Sequence, residues 1–320
     1  MTVLASPEQP TAARPRGAWH LLAPIAVALL AAAAAGVLYQ FFVRTALGQQ
    51  IDTGAMRGAD VHHLRVVEVL DRTLNGTTLV SLVLVCLFAA IFGVLRKRVD
   101  LALGAALLVI GANGTTQLMK MHLARPDLDG TEMPNSFPSG HTAAAASVAF
   151  AVILVLPQAL RGMVALVGFG YVTVIAVATV WAEWHRPSDT AAALAVTLGW
   201  AAVISFGIRV HRLRAEGGTQ SPSRLVTVPL FAVGAMTAAA GALGLAMVAL
   251  SERALPDLVS GRFAFLSGSA AITAAAAGAF FVWVRLAAGD RLVPAVGAAS
   301  GEEQSGGTAS AGRRAKGGTA

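Results

Sequence analysis

The stretch Trp19–Val43, WHLLAPIAVALLAAAAAGVLYQFFV, decides the fold class of this 320-residue chain. It carries no Asp, Glu, Lys or Arg, and it exceeds the roughly 20 helical residues that cross the hydrocarbon core of a bilayer. A cleaved signal peptide is the alternative, but its apolar region is normally shorter. The stretch therefore predicts a first transmembrane helix.

The rest of the chain repeats this pattern. Hydrophobic residues make up 56% of the sequence and charged residues 13%, far from the balance of soluble proteins. Further apolar stretches lie at Thr77–Leu95, Leu101–Gln117, Thr142–Leu156, Met163–Trp181, Thr190–Ile208, Leu225–Leu250 and Phe263–Leu286. Because nothing alternates like a barrel strand, these stretches predict an all-α polytopic bundle of eight transmembrane helices. The single cysteine, Cys86, excludes a disulfide framework.

Basic clusters set the orientation of the predicted bundle. Arginines precede the first span, and Arg96-Lys97-Arg98 separates the second span from the third. The positive-inside rule then places both termini in the cytoplasm. These short clusters between apolar blocks also explain the net charge of +7 without a nucleic-acid partner. Residues 1–16 and the tail from 289 to 320 are polar or small and predict disorder.

Two loops that face outward in this topology hold most of the unusual residues. The first carries Lys120, Arg125-Pro126 and then Pro138-Ser139-Gly140-His141, and the second carries His185-Arg186-Pro187-Ser188-Asp189. The long loop Arg44–Leu74 lies on the same outer side and mixes acids and bases evenly.

The residue types in these loops favour phosphate chemistry. Ser139 is a good N-cap for a helix whose free N–H groups bind phosphate, and Gly140 allows a close approach of the ligand. His185 and Asp189 are four residues apart, so on one helical turn they share a face. A carboxylate that binds one ring nitrogen leaves the other free to attack phosphorus. The alternative is that Pro187 only starts a helix, with Asp189 as a first-turn acid.

Together, the three segments resemble the type 2 phosphatidic acid phosphatase (PAP2) superfamily, which combines Lys…Arg-Pro, Pro-Ser-Gly-His and His-x-x-x-Asp. The resemblance implies a phosphatase in which His185 is the nucleophile, Asp189 orients it, and His141 protonates the leaving alcohol and later activates water. The remaining candidates hold the phosphate: Lys120, Arg125, Ser139, Gly140 and Arg186. No metal or other cofactor is required, because side chains supply the positive charge.

Two positions depart from the family pattern. The family lysine corresponds to Leu118, and Lys120 faces another side of a regular helix. The family Ser-Arg pair corresponds to Ala178 and Thr179, so one phosphate-binding arginine is absent. Arg186 is a candidate to replace it. Asp127, Asp129, Glu132 and His141 could instead form an oxygen-rich metal site, but their spacing matches no known loop.

These observations predict a domain order and an activity. Residues 17–210 form a six-helix PAP2-like catalytic domain, and residues 211–288 add a pair of transmembrane helices. The expected substrate is a lipid phosphomonoester or pyrophosphate at the outer face of a bacterial inner membrane, the arginine-rich composition being typical of bacteria. A phosphotransferase with the same histidine, or an impaired lipid-phosphate binder or transporter, are the alternatives. The sequence leaves the substrate lipid and the oligomeric state open.

Overall fold

A computed structural model describes residues 19–59, 98–131, 133–212, 222–255 and 258–289, the short stretches 218–219 and 292–293, and single residues at 68, 84, 87, 88 and 91. The N-terminal segment 1–16, nearly all of the tail from 289 and, apart from these single residues, the predicted second span at 77–95 lie outside the described residues. Arg96 and Lys97 of the basic cluster also lie outside them.

The described chain is all-α. Its helices are α1 (Trp19–Leu38, extended by a π-helical turn at Tyr39–Val43), α2 (Ala46–Arg57), α3 (Val99–His122), α4 (Gly140–Val155), α5 (Gln158–Trp181), α6 (Pro187–His211), α7 (Arg224–Arg253) and α8 (Gly261–Gly289). Two dipeptides, β1 (Gly218–Thr219) and β2 (Leu292–Val293), pair antiparallel.

Within the described residues, six helices are long and apolar enough to cross a membrane: α1 with its π-helical turn, α3, α5, α6, α7 and α8. The fourth predicted span corresponds to α4, which has 16 residues and so spans about 24 Å at the usual helical rise. The predicted polytopic bundle is confirmed, and the chain is a multi-pass membrane protein.

Helix α2 lies in the loop after α1, where the sequence predicted no element. Thr45 caps its start by accepting a hydrogen bond from the N–H of Gly48 at 3.0 Å. A side chain at Gly48 would overlap the carbonyl of Phe41, so the glycine allows the chain to fold back tightly after α1. The buried residues of α2 include Gln49, Asp52 and Thr53, which bond the loop after α3 and the start of α6.

Helix α8 packs into the core of the bundle and contacts α6, α5, α4 and α2 as well as α7. Its Trp283 is fully buried, stacks on Phe150 of α4 with centroids 5.6 Å apart, and donates its indole N–H to the Phe150 carbonyl at 3.1 Å. At the opposite end from α2, the buried Arg161 and Arg209 donate to the carbonyls of Ala287 and Leu286 at 2.7 and 2.6 Å. Cationic donors at the last carbonyls stabilise a helix C-terminus.

Candidate active site

The start of α6 forms the centre of the candidate site. Pro187 is the first helical residue, and the carboxylate of Asp189 accepts the backbone N–H of Arg186 at 2.9 Å. His185 therefore precedes the helix, and the predicted shared helical turn of His185 and Asp189 is wrong. The cap nevertheless brings Nδ1 of His185 to 3.7 Å from Oδ2 of Asp189, because the chain folds back over the first turn.

Asp189 is completely buried, and donor groups from three segments of the chain contact its carboxylate. Its Oδ2 accepts the hydroxyl of Ser136 at 2.5 Å in addition to the N–H of Arg186. Its Oδ1 lies 3.3 Å from Nη1 of Arg125. A buried carboxylate needs this many partners to remain charged, so Asp189 is held as an anion beside His185.

Arg125 enters the site from the loop after α3. Gln49 of α2 fixes this loop by donating to the carbonyl of Pro126 at 2.7 Å and accepting the N–H of Leu128 at 3.1 Å. The side chain of Arg125 is 3% exposed and also lies 3.8 Å from Asp52. Among the described residues, its Nε and Nη2 have no hydrogen-bond partner. Buried guanidinium N–H groups of this kind suit a phosphate oxygen.

The Pro-Ser-Gly-His segment begins α4 as the sequence predicts. Ser139 is the N-cap and accepts the N–H of Thr142 at 3.3 Å, and its own N–H donates to the carbonyl of Asp189 at 2.9 Å. Open space lies where a side chain at Gly140 would be. The ring centroids of His141 and His185 are 5.9 Å apart, so one phosphate group can contact both rings. The start of α4 thus lies directly beside the start of α6.

The other two basic candidates occupy different environments. Lys120, in the last turn of α3, is half-buried and close enough to Asp189 for their charges to interact, whereas Leu118 is 54% exposed. Arg186 is fully buried and donates to hydroxyls of Thr53, Ser136 and Thr131 at 3.0, 3.5 and 3.4 Å. Burial, together with the nearby Arg125, lowers the pKa of Arg186.

The positions that match the family Ser-Arg pair have a structural role in this chain. Thr179 is completely buried, and its carbonyl accepts the N–H groups of Trp184 and His185 at 3.0 and 3.2 Å. This contact ties the end of α5 to the turn that presents His185, in which Glu183 has a positive φ of 58°.

Four residues at the site were missed from the sequence: Gln49, Asp52, Thr53 and Ser136. The first three lie at helical spacing in the loop that was described only as mixed in charge, and that spacing was a usable signal for a polar helix face. Nothing in the sequence marked Ser136 as a site residue, because serine is common in polar loops. In the metal-site alternative, Glu132 lies outside the described residues, and no group of three or more metal-binding side chains converges within them.

An apolar cavity of about 650 Å³ lies between α1, α6 and α8, within the volume range of small-ligand sites. Asp52 and Ser188 are the polar residues of its lining, at the start of α6. Leu30 and Val37 line it from α1 and are 70% and 67% exposed, so the cavity opens sideways towards the lipid.

Comparison with known proteins gives one match. Residues 78–212 match the family model of the PAP2 superfamily. No curated protein and no solved structure matches the chain. The matched range includes α3 to α6 and leaves α1, α2, α7 and α8 outside it.

Proposed function

We propose that this chain, whose residues 78–212 match the PAP2 superfamily model, is a phosphatase that hydrolyses a lipid phosphate through a phosphohistidine at His185. The observation that carries the proposal is the convergence of His185, Asp189, His141 and the buried Arg125 at the adjoining starts of α4 and α6.

The proposed reaction has two steps. The ring nitrogen of His185 that faces away from Asp189 attacks phosphorus, while His141 gives a proton to the leaving alcohol. Water activated by His141 then cleaves the nitrogen–phosphorus bond and releases inorganic phosphate. Asp189 stabilises the positive imidazole ring in both steps.

The cationic and backbone donors stabilise the transition state in this mechanism. Arg125 offers unbonded N–H groups, Lys120 adds a second positive charge, and the start of α4 supplies Ser139 and the N–H of Gly140. Arg186 remains a candidate ligand, and its bonds to Thr53 and Thr131 favour a supporting role. Since side chains provide the charge, we expect activity to survive chelation of divalent metals.

A lipid is the favoured substrate class because the site adjoins membrane-spanning helices. The apolar cavity between α1, α6 and α8 begins at Ser188, opens towards the bilayer and could take a hydrocarbon chain. The basic clusters support an outward-facing site and cytoplasmic termini, as the positive-inside rule requires.

The experiment is a phosphate-release assay with the purified full chain in detergent micelles, using phosphatidic acid, phosphatidylglycerol phosphate and a polyprenyl pyrophosphate. His185→Ala should abolish release, whereas His122→Ala, a change to an exposed histidine at the end of α3, should retain it. Radiolabelled substrate should leave an acid-labile phosphoenzyme in the wild-type protein only. Phosphate release by His185→Ala at the wild-type rate would refute the mechanism.

The same assay separates the alternatives. A phosphotransferase would place the label on an added alcohol in preference to inorganic phosphate. A non-catalytic binder would retain lipid phosphate without turnover, and His185→Ala would leave that binding unchanged.

A further inference from the structure

Asp52 is a buried acid of the site that lies outside the matched domain. It sits on α2, is 2% exposed, and accepts two hydrogen bonds from Ser188, one from the backbone N–H at 2.9 Å and one from the hydroxyl at 2.5 Å. Asp52 is therefore bonded to the first turn of α6 at Ser188, which precedes Asp189 and lies three residues after His185.

Asp52 belongs to a cluster of two carboxylates and two arginines. Arg125 lies between two carboxylates, 3.3 Å from Asp189 and 3.8 Å from Asp52. Arg186 is the other cation that interacts electrostatically with Asp52. In the part of the chain that the structure describes, α1, α7 and α8 add only apolar residues to the cavity wall beside Asp52.

A phosphate that binds Arg125 adds negative charge beside both carboxylates, which favours protonation of the less stabilised one. Asp189 is the better-stabilised anion, since Ser136, the Arg186 N–H and Arg125 all contact it. Asp52 has hydrogen bonds from Ser188 alone and only a long contact with Arg125. Asp52 is therefore the carboxyl that gains a proton.

We propose that Asp52 is a positioning residue that holds Arg125 in the free protein and, by taking a proton from solvent, releases the guanidinium to bind a phosphate. The proposal rests on the proposed function in taking Arg125 as a phosphate ligand. Consistent with it, burial and the neighbouring Asp189 raise the pKa of Asp52 to about 7.

The hydrogen bonds of Ser188 allow this change without movement of α6. When Oδ2 of Asp52 carries the proton, its O–H donates to the Ser188 hydroxyl, which reverses the present bond, and Oδ1 still accepts the Ser188 N–H. Asp52→Asn reproduces this arrangement, because its amide N–H₂ donates to the hydroxyl and its carbonyl accepts the N–H. The variant is therefore a mimic of the protonated state.

The test measures sulfate binding, since sulfate resembles phosphate but does not titrate near neutral pH and needs no turnover. Calorimetry on the purified full chain from pH 6 to pH 8.5, in buffers of different ionisation enthalpy, gives both the affinity and the protons taken up. For the wild-type protein we expect proton uptake, with affinity falling above pH 7 by up to about tenfold per pH unit.

Asp52→Asn should bind sulfate more tightly than the wild-type protein above pH 7 and with a weaker pH dependence, with proton uptake reduced by the contribution of Asp52. Asp127→Asn removes an exposed acid two residues after Arg125 and should leave the wild-type pH dependence unchanged. Any proton uptake that persists in Asp52→Asn is due to the histidines. The difference in proton uptake between the wild-type protein and Asp52→Asn therefore decides the test.

The proposal is overturned if Asp52→Asn retains the full wild-type proton uptake and pH dependence, or if it binds sulfate more weakly than the wild-type protein at every pH. Absence of sulfate binding by the wild-type protein also overturns it. Absence of phosphate release, with sulfate binding as expected, would reject the proposed hydrolysis and leave the role of Asp52 intact.

Discussion

Ser136 offers the sharpest test of how the site holds its histidine. Its hydroxyl donates to Oδ2 of Asp189 at 2.5 Å, and the same oxygen faces Nδ1 of His185 at 3.7 Å. Ser136→Ala removes this donor without changing any residue that we assign to phosphate binding or to the reaction. Asp189 then keeps the Arg186 N–H on that oxygen but can shift away from His185.

The size of the effect follows from the charge of the acceptor. A hydrogen bond to a charged group contributes about 1.5–3 kcal/mol, and about 1.4 kcal/mol corresponds to a tenfold change in rate. If the whole contribution orients His185, kcat falls by about 10- to 100-fold. KM should change by less than about threefold, because among the described residues the Ser136 hydroxyl bonds Asp189 and, at 3.5 Å, Arg186, so the proposed phosphate ligand Arg125 stays in place.

Steady-state phosphate release on the best lipid phosphate gives kcat and KM separately. Ser136→Thr keeps the hydroxyl and should recover most of the lost rate. Ser147→Ala is the matched control, because Ser147 is a buried serine of α4 that bonds Asn113 and the carbonyl of Ala144, away from the site. A Ser136→Ala protein with kcat within twofold of the wild-type value would show that this contact does not orient His185.

Two further predictions concern the packing of the bundle, with thermal unfolding in detergent as the measurement. Trp283→Ala empties a completely buried position and should cost about 3–5 kcal/mol, whereas Trp19→Ala, at a 76% exposed residue, should leave the melting temperature nearly unchanged. An equal loss in both variants would contradict the packing of α8 against α4. On α3, Gly111→Ala should lower the melting temperature, because the new methyl group would approach the Trp200 ring to within 2.5 Å. Gly114→Ala meets open space and should be neutral or stabilising, and the opposite order would place the wrong face of α3 against α6.

The membrane helices could be predicted from the sequence because a bilayer imposes a simple requirement on the helices that cross it. Each span needs a long apolar run whose backbone bonds are satisfied within one helix, and α5, α6 and α8 all satisfy it. The cap at Ser139 was also predictable, since capping depends on a few neighbouring residues. Local rules of this kind do not depend on where the rest of the chain lies.

The residues that support the proposed catalytic groups were not predictable in this way. Asp52 and Ser188 are 136 positions apart in the sequence, and no local pattern predicts a contact between them. The predicted helical turn from His185 to Asp189 failed for a local reason. Pro187 favours the first position of a helix, and this signal outweighs the four-residue spacing that suggested a continuous turn.

The geometry of the start of α6 depends on parts of the chain that the family match does not include. Asp52 of α2 holds Ser188 by two hydrogen bonds, and α8 packs so closely at Gly268 that a side chain there would come within 2.9 Å of the Pro187 ring. Because His185 and Asp189 flank these two residues, a shift of α2 or α8 would move the proposed nucleophile relative to His141. The family motifs supply the reacting groups, and the helices outside the matched range set the precision with which those groups meet.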